Sequence, residues 1–293
     1  MRVIETKGLC KFYGPKAAVV DLDLQVESGS IFGFLGPNGS GKSTTVKMLL
    51  GLRRPSKGSA QVLGLDSSTA SQLIGRHIGY VPELGNLYQH FTVQESIDLV
   101  KGLRPTWDED FAQYLLSKFE LPLQRRVRQL SKGMQRQLAL LLAMAPRPEL
   151  LILDEPSSGL DPIKRQEFLQ ILVDGVAETG QTVFFSSHNM TEVERVADTV
   201  GILHNGRLVV SGDLAELKQN VKRIRVVLAS QEPLQLKQAV RKIEGQNGHW
   251  LVTVDRDTDL VVAELRAMQP IVLETYDLSL EDIFIIYAGG GEQ

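Results

Sequence analysis

With 293 residues, 43% of them hydrophobic and 23% charged, the chain has the composition of a folded protein with one full-sized domain and a smaller second one. Its net charge of -3 argues against a nucleic-acid partner, which calls for a basic face. A single cysteine, Cys10, excludes an intramolecular disulfide and fits a reducing compartment. The start, MRVIETKGLC, lacks the apolar core of a signal peptide, and the longest apolar stretch, residues 138–146, is too short to cross a bilayer.

Val20, Leu22, Leu24 and Val26 alternate with polar residues, the period of a half-buried strand. Residues 31–35 form a more apolar run, broken by Gly33, that reads as a strand buried on both faces. A glycine-rich turn over 36–41 precedes a helix over 42–50, ending near Gly51. Residues 90–145 are mainly helical in pattern, and 150–153 read as a second buried strand. Asp161 followed by Pro162 predicts a helix start; the helix runs to about Glu178 and stops at Gly180. Residues 182–185 read as a third buried strand, and Thr191 with Glu194 as the capping box of the next helix. Residues 200–204, the turn Asn205-Gly206 and residues 207–210 read as a β-hairpin. Strands alternating with helices predict an α/β fold with a mainly parallel sheet, plus an antiparallel portion from the early strand and the late hairpin.

Beyond about Lys218 the pattern changes. Residues 223–228, 250–254 and 271–274 read as strands, and 235–243, 257–268 and 279–287 as helices. This predicts a small α+β domain over 219–293, following a first domain over 1–218 with a helical subdomain at about 84–145. Residues 289–293 are expected to fray.

Gly36-Pro37-Asn38-Gly39-Ser40-Gly41-Lys42-Ser43 has the spacing of a P-loop. Anionic phosphates need many N–H donors converging on one point. A turn poor in side chains can wrap its amides around them, and the helix opening at Lys42 adds its positive end. Lys42 would reach the β- and γ-phosphates of ATP, Ser43 would bind Mg²⁺ as well as the nucleotide, and Thr44 would join the ATP contacts. The apolar run 150–153 ends in Asp154-Glu155. In a strand parallel to the P-loop strand, Asp154 would sit beside the metal and Glu155 beside the attacking water.

With these motifs, Leu130-Ser131-Lys132-Gly133-Met134-Gln135 resembles the signature of the ATP-binding-cassette (ABC) ATPases. Glycine is usual where Lys132 stands, and glutamine where Met134 stands. The resemblance covers about residues 2–215 and implies a P-loop NTPase cassette with a mixed sheet and a helical subdomain. It implies that Ser131 and Gly133 open a helix aimed at the γ-phosphate held by an opposite subunit, a task suited to a capped helix N-terminus. It also implies that Tyr13 stacks on adenine, and that Ser158-Gly159-Leu160-Asp161 touches the partner subunit while Asp161 caps its own helix. His188 would meet the γ-phosphate as orienting group, with Glu155 as the base. The family usually has glutamine after a Gly-Tyr-x-Pro-like stretch. Here Gly79-Tyr80-Val81-Pro82 leads to Glu83, whose carboxylate can still face Mg²⁺ but adds negative charge near ATP.

The function implied is that of an ATP-hydrolysing subunit of an ABC transporter, using ATP and Mg²⁺ and working as a homodimer or cassette heterodimer. It would sit on the cytoplasmic face of the membrane, bound to an integral membrane permease through residues near 84–94. Lys132, Met134 and the added C-terminal domain look most like bacterial export-type cassettes. One alternative is a soluble cassette ATPase acting on ribosomes or DNA. The single cassette, the short spacing from Lys42 to Ser131 and the net acidity argue against it. A non-enzymatic nucleotide-gated regulator is disfavoured by intact Lys42, Asp154, Glu155 and His188.

Overall fold

The computed structural model describes residues 1–83 and 87–288. The first three residues of the expected docking segment and the expected frayed tail, 289–293, lie outside the described residues. The chain divides into two compact units, Met1–Ser211 and Gly212–Gln293.

The first unit begins with β1 (Arg2–Tyr13) and β2 (Lys16–Glu27), an antiparallel pair. Leu22, Leu24 and Val26 point inward, as their alternation predicts. At Asp21 the backbone turns left-handed, φ 52°, and the register slips. The residue buried before this bulge is therefore Val19 rather than Val20. After β3 (Ile31–Leu35) and α1 (Lys42–Leu49) come β4 (Lys57–Val62), β5 (Leu65–Asp66), α2 (Ser71–His77) and β6 (Ile78–Val81). The helical stretch resolves into α3 (Val93–Leu103), α4 (Glu109–Phe119) and α5 (Lys132–Met144). Then follow β7 (Leu150–Asp154), α6 (Pro162–Thr179), β8 (Thr182–Ser187), α7 (Met190–Glu194), β9 (Thr199–His204) and β10 (Arg207–Asp213).

These strands make an antiparallel sheet, β2-β1-β4-β5, and a six-stranded sheet, β10-β9-β3-β8-β7-β6. Within the second, β9, β3, β8, β7 and β6 run parallel. Every residue of β3, β7 and β8 is buried, which explains their unbroken apolar runs. Phe184 of β8 packs on Phe32 and Phe34 of β3, with ring centroids 5.5 and 5.3 Å apart. Because these strands are parallel, their C-terminal ends share one edge, where an open α/β sheet places its ligand.

Local signals explain most boundaries. Asp161 accepts from the amides of Ile163 and Lys164, Pro162 opens α6, and Gly180 closes it at φ 65°. The hairpin residues Asn205 and Gly206 both have positive φ, as a type I′ turn requires. The start of α7 differs from the sequence reading. Its cap is Asn189, whose side chain accepts from the Glu192 amide and donates to the Glu192 carboxylate. Thr191 already lies inside the helix, so the cap sits at Asn189, two residues before Thr191, and no reciprocal box forms, since the Asn189 amide donates to Ser187 Oγ.

The second unit holds α8 (Leu214–Asn220), β11 (Lys222–Val227), β12 (Lys242–Gln246), β13 (His249–Val254), α9 (Thr258–Ala267), β14 (Val272–Asp277) and α10 (Leu280–Ala288). Its sheet is antiparallel, in the order β12-β13-β11-β14. The helix expected over 235–243 does not form. There the amides of Lys237 and Gln238 bond to the Glu264 carboxylate, while Leu234, Leu236 and Val240 pack into the core of the unit. Ile243 lies in β12, which turns through Asn247-Gly248 into β13. That Asn-Gly pair is a hairpin signal the helical pattern obscured. Among the described residues, no helix is long and apolar enough to cross a membrane.

Candidate functional site

The turn between β3 and α1 is shaped by positions where a side chain cannot fit. Gly36 has φ 152°, and an added Cβ would lie 2.2 Å from the carbonyl oxygen of Leu203. Gly41 has φ 112°, and its Cβ would lie 2.4 Å from the Ala18 carbonyl oxygen. The loop also binds itself and its neighbour: the Ser40 amide donates to Pro37, and Ser40 accepts from the Gly206 amide. Pro37, Asn38 and Gly39 complete a tight turn whose next residues, Lys42, Ser43 and Thr44, open α1.

A cavity of about 500 Å³ opens on this loop. Tyr13, Asn38, Gly39, Gly41, Lys42, Ser43, Thr44, Glu83 and Glu155 line it. Tyr13 is 45% exposed, with the Lys11 ammonium 5.3 Å from its ring centroid; an exposed aromatic ring can stack on a planar base. Lys42 is only 5% exposed; its ammonium donates to the carbonyls of Gly36 and Pro37 and lies 3.2 Å from Glu155 Oε1.

Strand register gathers the acids. Asp154 of β7 lies opposite Ser186 of β8, and Leu35 of β3 opposite Ser187. Val81 pairs with Leu153, so Glu83 leaves β6 beside the acidic end of β7. The Ser43 hydroxyl donates to Asp154 Oδ1 at 3.2 Å, and that of Ser186 donates to the same oxygen at 2.5 Å. Glu155 adopts φ 51°, a strained conformation for a residue with a side chain. Its amide bonds to the Ser186 carbonyl, and His188 Nδ1 stands 2.8 Å from its Oε2. Burial raises Tyr80 to about 12, and the charges of Asp154 and Glu83 add to the effect.

These groups suit a magnesium nucleotide. Ser43, Asp154 and Glu83 offer hard oxygen atoms beside the P-loop, and Mg²⁺ needs only one or two carboxylates when phosphates and water fill the rest.

Ser131, Gly133 and Asp161 lie elsewhere. They line a second cavity of about 460 Å³, with Lys132, Met134, Gly159 and Lys164 among its other walls. Ser131 caps α5 through the Met134 amide. The two cavities share no lining residue.

The sequence reading passed over four residues. Lys16 lines the first cavity, and Ser186 holds Asp154. Glu192 accepts from Ser157 and pairs with Arg165 at 3.1 Å, which ties the 157–161 loop to the segment after His188. Arg136 is buried beneath the acids. Only their proximity in space marks them; none belongs to a spaced motif.

The family model described as ABC transporter matches residues 19–158. Over 98% of its length the chain is 29% identical to the ABC transporter ATP-binding protein YtrB of Bacillus subtilis, covering 99% of that protein. It is 34% identical to the Nod factor export ATP-binding protein I of Rhizobium sp., over 98% of this chain and 97% of that one. A solved ATP-binding subunit of an ABC transporter superposes with a TM-score of 0.68 at 30% identity, covering 74% of this chain and 92% of that one.

Proposed function

Since the chain belongs to the ATP-binding subunits of ABC transporters, we propose that two cassettes close head-to-tail over two ATP molecules and drive an export-type permease by hydrolysing them. The observation that carries this reading is the separation of the two cavities. One has a phosphate cradle, acids and an exposed aromatic face. The other has the N-terminus of α5, with Ser131 and Gly133 at its tip and Gly159 facing them, suited to an anion brought by another molecule.

In this reading Lys42 and the amides of residues 36–44 hold the triphosphate, and Tyr13 stacks on adenine. Ser43, Asp154 and Glu83 hold Mg²⁺, which supplies charge neutralisation on the phosphates. Glu155 takes a proton from the attacking water, and His188, in contact with it, orients that water and the γ-phosphate. Ser131 and Gly133 seal the partner's nucleotide, with the Asp161 loop beside them. Loss of the γ-phosphate loosens the pair. The permease docks near residues 84–94, where Tyr88 is 64% exposed and stacks on Phe91. The cassette then lies on the cytoplasmic face, and residues 219–293 form an accessory domain that regulates or strengthens pairing. Full-length similarity to a Nod factor export ATP-binding protein supports the outward direction.

Glu155→Gln tests the chemistry. ATP should still bind and hold a lasting dimer, seen by light scattering, while turnover falls about 10²- to 10⁴-fold. Turnover at the native rate would remove Glu155 as the base.

A further inference from the structure

Helix α5, which carries Ser131 and Gly133 at its tip, buries an arginine about 7 Å further along its axis. Arg136 is 8% exposed, and a guanidinium is seldom so buried unless its donors and charge are met. Its donors are met by three backbone carbonyls. Nη1 donates to Pro82, and Nη2 donates to Glu83 at 2.6 Å and to Glu155 at 3.0 Å. One planar fork thus joins two strand-end loops, the Glu83 loop after β6 and the Glu155 turn after β7. Lysine carries its donors on a single nitrogen and lacks the spread of that planar fork.

Its charge is met at longer range. Burial works against the charged form, and Asp154, Glu83 and Glu155, in that order, oppose it. Glu83 stands where the resemblance places an uncharged amide. Arg136 therefore sets a fixed positive charge among three acids, Asp154 ahead of Glu83 and Glu155, and holds the Glu83 backbone directly. It also grips the carbonyl of Glu155, whose left-handed backbone persists only if its surroundings hold it.

We propose that Arg136 is a positioning residue for ATP hydrolysis: it locks the Glu155 turn and the Glu83 loop to the helix that meets the partner's nucleotide, and its charge offsets that of Glu83. The proposal rests on the paired-cassette reading above. A shift of the α5 tip on closure is carried by the same rigid helix to the base and to the metal-side loop.

The test is a cycle of Arg136→Gln, Arg136→Lys and Glu83→Gln, singly and combined. Turnover, the Mg²⁺ concentration for half-maximal binding of a fluorescent ATP analogue, and thermal unfolding would be measured. Arg136→Gln should lower kcat about 10- to 100-fold with KM for ATP changed less than about threefold, since misplacing a base costs rate rather than affinity. Its half-saturating Mg²⁺ should rise about three- to tenfold, because the Glu83 loop is loosened. With Glu83→Gln present, the loss caused by Arg136→Gln should shrink at least about threefold, since no added charge then needs offsetting. Arg136→Lys keeps the charge without the fork and should recover only the part of the loss that depends on Glu83, leaving the rest of the turnover defect and the raised Mg²⁺ requirement in place. Equal losses in both Glu83 backgrounds would overturn the charge role, and turnover within about twofold of native in Arg136→Gln would overturn the positioning role. Should Arg136→Gln not fold, Arg136→Lys decides: native turnover and native Mg²⁺ response in both backgrounds overturn the proposal. If Glu155→Gln stops turnover while neither Arg136 variant does, this inference falls and the cassette reading stands.

Discussion

The cradle at the end of β3 and the tip of α5 solve opposite problems. The cradle is fixed entirely from within its own chain. Ala18, Leu203 and Gly206 crowd its backbone, and Lys42 and Ser43 are already held by Glu155 and Asp154. The tip presents Ser131 and Lys132 to solvent, and the Ser131 hydroxyl is spent on its own helix. A rigid cradle loses little order when the nucleotide arrives. An open tip leaves completion of the site to a second molecule, which makes assembly dependent on nucleotide.

The comparison breaks most visibly if the two ends fail to separate binding from pairing. Lys42→Ala removes a charge-assisted contact to phosphate and should weaken ATP binding about hundredfold, roughly 3 kcal/mol. Gly133→Asp sets a negative charge on the tip, where an added Cβ meets only ordinary contact, 3.5 Å from the Gly159 carbonyl. It should leave ATP affinity of the single chain within about twofold yet abolish ATP-driven dimerisation, because like charges in a closed site cost several kcal/mol. Nucleotide titration at low protein concentration and sedimentation at high concentration read the two effects apart. Weakened binding by the lone Gly133→Asp chain would show that the tip and the cradle are one site.

The cradle was legible in the sequence for the reason it is rigid. Backbone that must pass close to other backbone leaves a fixed pattern of glycines, and buried parallel strands leave unbroken apolar runs. The contacts that brace it were not legible. Ser186 and Arg136 act across more than 30 residues of sequence on Asp154 and Pro82, the first through strand pairing and the second from a helix packed beside β6, and no local pattern encodes either. The signature helix was found from its motif, but its separation from the P-loop cavity came only with the fold. The second unit misled at 235–243, where tertiary contacts from Leu234, Leu236 and Val240 overrode a helical spacing. At the start of α7 a side-chain cap was expected at the wrong residue, because Thr191 and Glu194 share the three-residue spacing of Asn189 and Glu192.

Two glycines sharpen the contrast in stability. Gly41 belongs to the cradle, and alanine there meets both a left-handed backbone and the Ala18 carbonyl oxygen at 2.4 Å. Gly159 lines the tip cavity at φ 80°, with nothing within 4 Å of its added Cβ. Gly159→Ala should cost about 1 kcal/mol, the conformational term alone. Gly41→Ala should cost about 3 kcal/mol, because neighbouring backbone must also move. Denaturant unfolding of the two variants gives the difference directly. Equal costs would mean that the cradle is no tighter than the loop beside the tip.

The smallest effect concerns what supports the tip rather than the tip itself. Asp108 caps α4 through the Phe111 amide and accepts from Arg147 Nε at 2.9 Å; Arg147 in turn stacks on the Phe111 ring. This ties α4 to the chain leaving α5. The Phe111 amide first, and Arg147 second, hold the Asp108 carboxyl below its ordinary range. A carboxyl depressed in the folded state stabilises fully above its unfolded value, about 3.9, and that gain is lost as pH falls through the folded value. Asp108→Asn keeps the cap but removes the charge. With side chains 35% and 29% exposed, the pair is screened, and the variant should lose only about 0.5 kcal/mol near neutral pH. The gap to the native chain should close as the solution is taken to acid. ATP affinity should not change, since no cradle contact is touched. A fall in affinity without a fall in stability would mean that the helical region sets the cradle's shape, against the independence argued here.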